Sequence, residues 1–116
     1  MRRLRYSLVA LLGVALASAA GYAQGPPAAQ VTPVVERETV AAGTTARLAL
    51  QIALPDGYHV QSNAPRDPAL IATTLTIDAP AGVAVDEVVF PRAVDVRLAG
   101  SDQPLAVFER EFAVGV

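Results

Sequence analysis

The sequence predicts an all-β protein built as an antiparallel β-sandwich. Short segments alternate apolar and polar residues with a period of two, as half-buried strands do. Turns rich in Gly, Pro, Asp and Asn separate these segments. Beyond the apolar N-terminal segment, the sequence shows no helical period of useful length. About six or seven short strands with such turns are typical of a small two-layer β domain.

Length and composition allow one small domain and exclude several classes of function. The chain has 116 residues, a net charge of −2 and a pI of about 5.2. This balance offers no basic patch of the kind that binds nucleic acid. Because cysteine is absent, this chain forms no disulfide, thiolate metal site, cysteine nucleophile or dithiol. Its stability must come from an apolar core, which gives a modest margin at this size.

The N-terminus has the pattern of a secretory signal peptide over residues 1–23. A basic start with Arg2, Arg3 and Arg5 precedes a nearly uncharged run of about 15 residues, and small residues follow it. The alternative, a membrane anchor, would need about 20 apolar residues. We therefore expect cleavage between Ala23 and Gln24, export of the mature chain and no stable insertion of that chain in a membrane.

Residues 24–33 are predicted to form a flexible linker, and residues 34–116 the folded domain. Three prolines and a glycine in the linker favour an extended, poorly packed chain. In the domain, alternation and β-branched residues predict strands at residues 46–54, 58–61, 71–78, 83–90, 94–98 and 105–116. The turn Pro55-Asp56-Gly57 ends the first strand, since Pro cannot donate to a ladder and Gly accepts a positive φ.

Two features disturb the predicted strands. Asp86 and Glu87 interrupt the strand at residues 83–90, where we expect a β-bulge. Arg110 lies in phase with Phe108 and Phe112 on the apolar face of the last strand. The pattern leaves two interpretations of Arg110 open, a position at the rim of the sheet or a position near a bend.

His59, the only histidine, follows the turn at Pro55 and is the first candidate for chemistry. A metal site would need further ligands, and Asp56 is the only acid close to it in sequence. We therefore interpret His59 as a structural residue of the turn. Ser62 has no base other than His59 and lies in no Gly-x-Ser-x-Gly motif, so we expect no catalytic triad.

The remaining candidates also favour structural roles. The acidic pairs Asp86-Glu87 and Glu109/Glu111 are expected on solvent-exposed faces rather than as a catalytic carboxylate pair. The aromatic residues of the domain are expected to pack in the core or at its edge: Tyr58, Phe90, Phe108 and Phe112. No catalytic, cofactor-binding or metal-binding residue is predicted, and we expect no enzymatic activity of this chain.

The order of several motifs resembles a known family. A strand running into Leu-Pro-Asp-Gly-Tyr-His-Val-Gln-Ser-Asn comes first, and Pro-Ala-Leu-Ile-Ala-Thr, Leu-Thr-Ile, Val-Phe-Pro-Arg and Leu-Ala-Val-Phe-Glu-Arg-Glu-Phe follow in order. These motifs occupy residues 54–63, 68–73, 75–77, 89–92 and 105–112. Together they resemble the N-terminal periplasmic domain of the thiol:disulfide interchange protein DsbD, over roughly residues 34–116.

The resemblance implies an immunoglobulin-like antiparallel β-sandwich in the periplasm. The family's protein-disulfide reductase activity depends on a Cys pair C-terminal to the matched segment, and no residue of this chain can take that role. Because the sequence stops at Val116 within an apolar alternation, we expect a truncated copy, or else a family member without redox chemistry. The implied function is an exported docking domain for a redox partner, without its own dithiol. The alternative is a non-redox interaction or structural domain of the envelope.

Overall fold

The computed structural model describes Gly25 and residues 27–116, which form six β-strands and no helix. The strands are β1 (Gln30–Val35), β2 (Leu48–Ala53), β3 (His59–Gln61), β4 (Val94–Val96), β5 (Leu105–Glu109) and β6 (Glu111–Gly115). The predicted all-β class is therefore confirmed. The signal peptide predicted at residues 1–23 lies outside the described residues. None of the described residues belongs to a helix long and apolar enough to cross a membrane.

The strands form two antiparallel sheets of three strands each. Sheet A has the order β1-β2-β6, and sheet B has the order β3-β5-β4. In sheet A, Leu50 of β2 lies opposite Pro33 of β1 and Val114 of β6. In sheet B, Val107 of β5 lies opposite Gln61 of β3 and Val94 of β4. The C-terminal strands β5 and β6, although adjacent in sequence, therefore lie in different sheets.

Strand β1 begins inside the segment predicted as a linker at residues 24–33. It pairs with β2 from Gln30 to Val35, so regular structure starts at Gln30 rather than at residue 34. Every residue of β1 is exposed, and its sequence accordingly shows no apolar alternation that would signal a strand. Pro33 is tolerated because β1 is an edge strand, whose outer side needs no hydrogen-bond donor.

The strands predicted at residues 46–54, 58–61 and 94–98 are confirmed as β2, β3 and the shorter β4. The apolar residues predicted on one face of β2 lie beside apolar residues of the neighbouring strand β6, because Leu50 and Ile52 lie opposite Val114 and Phe112. Leu48, on the same face of β2, remains 40% exposed. The apolar face of sheet A is therefore covered best beside β6.

The strands predicted at residues 71–78 and 83–90 are wrong. Residues 71–88 contain no strand, and Val89 forms only an isolated bridge with Gly115. Ile71 is 89% exposed, and the bulge expected at Asp86 and Glu87 has no strand to interrupt. Alternating β-branched residues favour a strand, but a ladder also needs a neighbouring edge in register. The described chain offers no such pairing to this segment.

The strand predicted at residues 105–116 is interrupted at Arg110. Its φ of 58° is the only positive value at a described non-glycine residue. This left-handed conformation costs a residue with a Cβ about 1–2 kcal/mol. At Arg110 the chain turns from β5 in sheet B to β6 in sheet A. Of the two interpretations of Arg110, the position near a bend is confirmed.

The two sheets are joined by paired segments that continue from one sheet into the other through a bend. Residues 48–61 run beside residues 105–115 on both sides of the bend, as β2 with β6 and as β3 with β5. Residues 89–96 follow the other side of the same segment, through the Val89–Gly115 bridge and the pairing of β4 with β5. Three segments of the chain therefore pass from one sheet to the other at the same place.

The core lies at this bend. Phe108 and Val114 are each 2% exposed. The ring centroids of Phe108 and Phe112 are 4.8 Å apart, and Phe90 stacks on Phe108 at 6.3 Å. The left-handed turn at Arg110 brings the Phe108 and Phe112 rings together from its two sides, while the Arg110 side chain stays exposed. The aromatic cluster of Phe90, Phe108 and Phe112 thus links both sheets.

Candidate functional site

The candidate site is the corner of the bend, which we call the corner surface. It is an open depression lined by residues 53–59 and residues 109–111. Within it the amide of Tyr58 donates to the carbonyl oxygen of Pro55 at 3.1 Å, which closes a tight turn. Gly57 has a φ of 79°, the positive value that the third position of a type II turn requires. The predicted turn at residues 55–57 is therefore confirmed.

The substitution Gly57→Ala tests this turn. An alanine Cβ there would meet no heavy atom within 4 Å, so the cost comes from the positive φ alone. We expect the free energy of unfolding to fall by about 1–2 kcal/mol in urea denaturation. Gly25→Ala is the matched control, because that glycine has neither a positive φ nor a close neighbour. Equal and small effects of both substitutions would contradict the left-handed turn at Gly57.

Arg110 faces the turn from the opposite segment. The amide of Leu54 donates to the carbonyl oxygen of Arg110 at 2.7 Å. The β2–β6 and β3–β5 ladders hold the backbone on both sides of Arg110, which alone lies opposite residues 54–58. Its exposed guanidinium is therefore carried by a backbone that is fixed at both ends.

Tyr58 is the one exposed aromatic side chain in the described part of the chain, at 53%. The expectation that Tyr58 packs in the core or at its edge is wrong, whereas it is confirmed for Phe90, Phe108 and Phe112. The turn explains the difference, because residues 56–59 project from the bend and are all exposed. Tyr and Arg are the side chains that most often anchor protein–protein contacts.

The corner surface includes the titratable side chains of Asp56, His59, Glu109 and Glu111. His59 is exposed at the start of β3, opposite Glu109 of β5. Between residues 27 and 116, no group of three or more His, Cys, Asp or Glu side chains is placed to hold a metal ion. Asp86, Glu87 and Glu111 are exposed, as expected of solvent-facing acids, and Glu109 is half-buried. The corner surface therefore presents polar, charged and aromatic side chains around an open depression.

Ser62, which follows β3, is only 1% exposed and orders the adjoining loop. Its amide donates to the carbonyl oxygen of Ala106 at 2.9 Å, and its hydroxyl accepts the amide of Ala64 at 3.2 Å. Its carbonyl oxygen accepts the amide of Thr73 at 3.1 Å. The polar groups of Ser62 are therefore used within the fold, and its burial fixes the loop beside the corner surface.

Arg66 makes a contact that sequence reasoning missed. Its guanidinium donates to the carboxylate of Asp95 at 2.6 Å and to the carbonyl oxygen of Pro104 at 3.0 Å. The pair is exposed and adds at most about 1 kcal/mol, but it holds the loop at residues 62–70 beside β4. No local pattern signals it, because the two residues are 29 positions apart.

Comparisons of the chain with protein-family models, with curated proteins and with solved structures found no match.

Proposed function

We propose that this chain is an exported docking domain that binds another protein through the corner surface. The observation that carries the proposal is that two exposed side chains, Tyr58 and Arg110, line one open depression. Both side chains are carried by backbone held through turn and ladder hydrogen bonds. A fixed backbone lowers the entropic cost of binding, and Tyr and Arg supply the contact area that anchors an interface.

The finer architecture that we propose is an immunoglobulin-like antiparallel β-sandwich. Three features support it: both sheets are antiparallel, three segments cross between them, and one aromatic cluster joins them. In sandwiches of this kind, the turns at the ends of the strands carry binding sites on a rigid frame. In the proposed sandwich, the corner surface would include the turn between β2 and β3.

The partner that we propose is a periplasmic protein of thiol–disulfide exchange. The resemblance of residues 34–116 to the N-terminal domain of DsbD supports this choice, as does the signal-peptide pattern at residues 1–23. Because the chain has no cysteine, it supplies no dithiol, and the role proposed for it is docking. The same absence supports a second candidate, a non-redox interaction or structural domain of the envelope.

Isothermal titration calorimetry against purified periplasmic thiol:disulfide oxidoreductases tests the proposal. We expect one of them to bind, and Tyr58→Ala and Arg110→Gly each to weaken the affinity by about tenfold or more. Glycine at residue 110 removes the guanidinium while it permits the positive φ. Ile71→Ala is the control, because it removes an exposed apolar side chain that does not line the corner surface.

The outcomes separate the two candidate functions. Binding only to envelope proteins without a redox centre would favour the second candidate. Binding that neither Tyr58→Ala nor Arg110→Gly weakens would contradict the corner surface as the docking site. Reduction of insulin disulfides by this chain alone would contradict the expectation that it has no redox chemistry of its own.

A further inference from the structure

An edge strand presents unpaired amides and carbonyls that a strand of another chain can bind. In the described residues, three of the four edge strands of the two sheets are contacted by another segment of the chain. At the end of β6, the Val89 amide donates to the Gly115 carbonyl oxygen at 2.8 Å, and the Gly115 amide donates to the Val89 carbonyl oxygen at 2.9 Å. The Thr73 hydroxyl donates to the Gln61 carbonyl oxygen on β3 at 2.5 Å. The Arg66 guanidinium binds the side-chain carboxylate of Asp95 on β4, as described above.

Strand β1 is the remaining edge and the longest one. It has six residues, all exposed, and no hydrogen bond joins its outer side to another residue between 27 and 116. Val31 and Val35 on this strand are 56% and 55% exposed. A long, exposed, apolar edge of this kind is the sort that associates with other strands unless something prevents it.

The hydrogen-bond pattern shows which residues of β1 face outward. The Glu36 amide donates to the Arg47 carbonyl oxygen at 3.1 Å, so Glu36 faces β2. In an antiparallel pair, residues that exchange backbone hydrogen bonds with the partner strand alternate along the strand. The backbone amide and carbonyl groups of residues 34, 32 and 30 therefore also point towards β2, and those of residues 35, 33 and 31 point outward. The pairing of β2 agrees with this assignment. Leu48 exchanges two backbone hydrogen bonds with Val116, on the side of β2 that faces away from β1. Pro33 therefore stands in the middle of the outer edge.

We infer that Pro33 closes the β1 edge to a second strand and so keeps this chain from associating with a copy of itself through that edge. Proline has no amide hydrogen, and its ring occupies the space where a neighbouring strand would place a carbonyl oxygen. Without this block, two copies could pair their β1 strands in an antiparallel, two-fold symmetric contact. With Pro33 of one copy opposite Pro33 of the other, Val31 of each copy would lie opposite Val35 of its partner.

The substitutions Pro33→Ala and Pro33→Val test this inference in analytical ultracentrifugation of the purified chain. Both restore an amide hydrogen, and alanine does so with a smaller apolar side chain, so association of that variant cannot come from added hydrophobicity. We expect the apparent mass of each variant to at least double relative to the unmodified chain. Amide hydrogen exchange should then show new protection at residues 31 and 35.

Thr32→Val is the matched control. The backbone amide and carbonyl groups of Thr32 point towards β2. Valine at this position therefore adds apolar surface to the same strand without restoring a donor on its outer edge. The apparent mass of this variant should remain that of the unmodified chain. The inference would be overturned if both Pro33 variants kept the unmodified mass. It would also be overturned if they associated without protection at residues 31 and 35, or if the unmodified chain already associated through them.

Discussion

Phe108→Ala is expected to lower the free energy of unfolding by about 3–5 kcal/mol, which is a large part of the stability of a domain of this size. Phe108 is 2% exposed and packs against the rings of Phe90 and Phe112. Alanine leaves a cavity where three crossing segments meet, and these segments hold the two sheets together. Urea denaturation followed by circular dichroism measures the change.

The control for Phe108→Ala is Ile71→Ala, because Ile71 is 89% exposed. We expect this substitution to change the free energy of unfolding by less than about 0.5 kcal/mol. If Phe108→Ala does not fold, Phe108→Leu provides the graded measurement and should still cost more than the control. A loss at Ile71 as large as that at Phe108 would contradict the placement of the core at the bend.

At Arg110, we expect the variants Arg110→Val and Arg110→Gly to differ by about 2 kcal/mol in the free energy of unfolding. Glycine accepts the φ of 58°, which relieves about 1–2 kcal/mol of strain and offsets the extra freedom of glycine in the unfolded chain. Valine is β-branched and tolerates a positive φ poorly. The glycine variant should therefore be as stable as the unmodified chain or more stable, and the valine variant less stable.

Arg110→Asn adds an internal check, because asparagine tolerates the left-handed conformation better than other side chains with a Cβ. Its stability should lie between those of the glycine and valine variants. The opposite order, with valine the most stable, would indicate an extended strand through residue 110. Such a strand would restore the continuous pairing over residues 105–116 that the sequence predicts.

Much of the sheet structure could be predicted because its residues carry local signals. The alternation of Leu48, Leu50 and Ile52 predicts β2, and the Pro-Asp-Gly turn predicts the start of β3. Arg110 could be recognised as irregular because a charged residue lies in phase with two phenylalanines. The choice between a rim and a bend required the backbone conformation, which no local pattern specifies.

The failed predictions concern residues whose structure depends on distant partners. Residues 71–78 have the composition of a strand but form no ladder, since strand formation depends on an available edge as well as on propensity. β1 shows the reverse case: its residues are fully exposed and include Pro33, yet β2 offers them an edge in register. In both cases the availability of a neighbouring strand edge, and not the local sequence pattern, determined whether a strand formed.

At the candidate site, the sequence and the structure point to the same segment for different reasons. His59 marked residues 54–65 because it is the only histidine. The structure adds Arg110, which the bend brings to the turn from more than fifty positions away, and exposes Tyr58. Neither the distance across the chain nor the exposure of a tyrosine beside a turn could be read from periodicity.

NMR chemical-shift mapping of the isotope-labelled chain is the most direct test of docking at the corner surface. The chain would be titrated with the periplasmic thiol:disulfide oxidoreductase that binds it in calorimetry. We predict the largest amide shift changes at residues 54–59 and 109–111, with little change along β1 (Gln30–Val35). Changes confined to β1 or to residues 71–88, with the corner amides unchanged, would contradict the proposed docking surface.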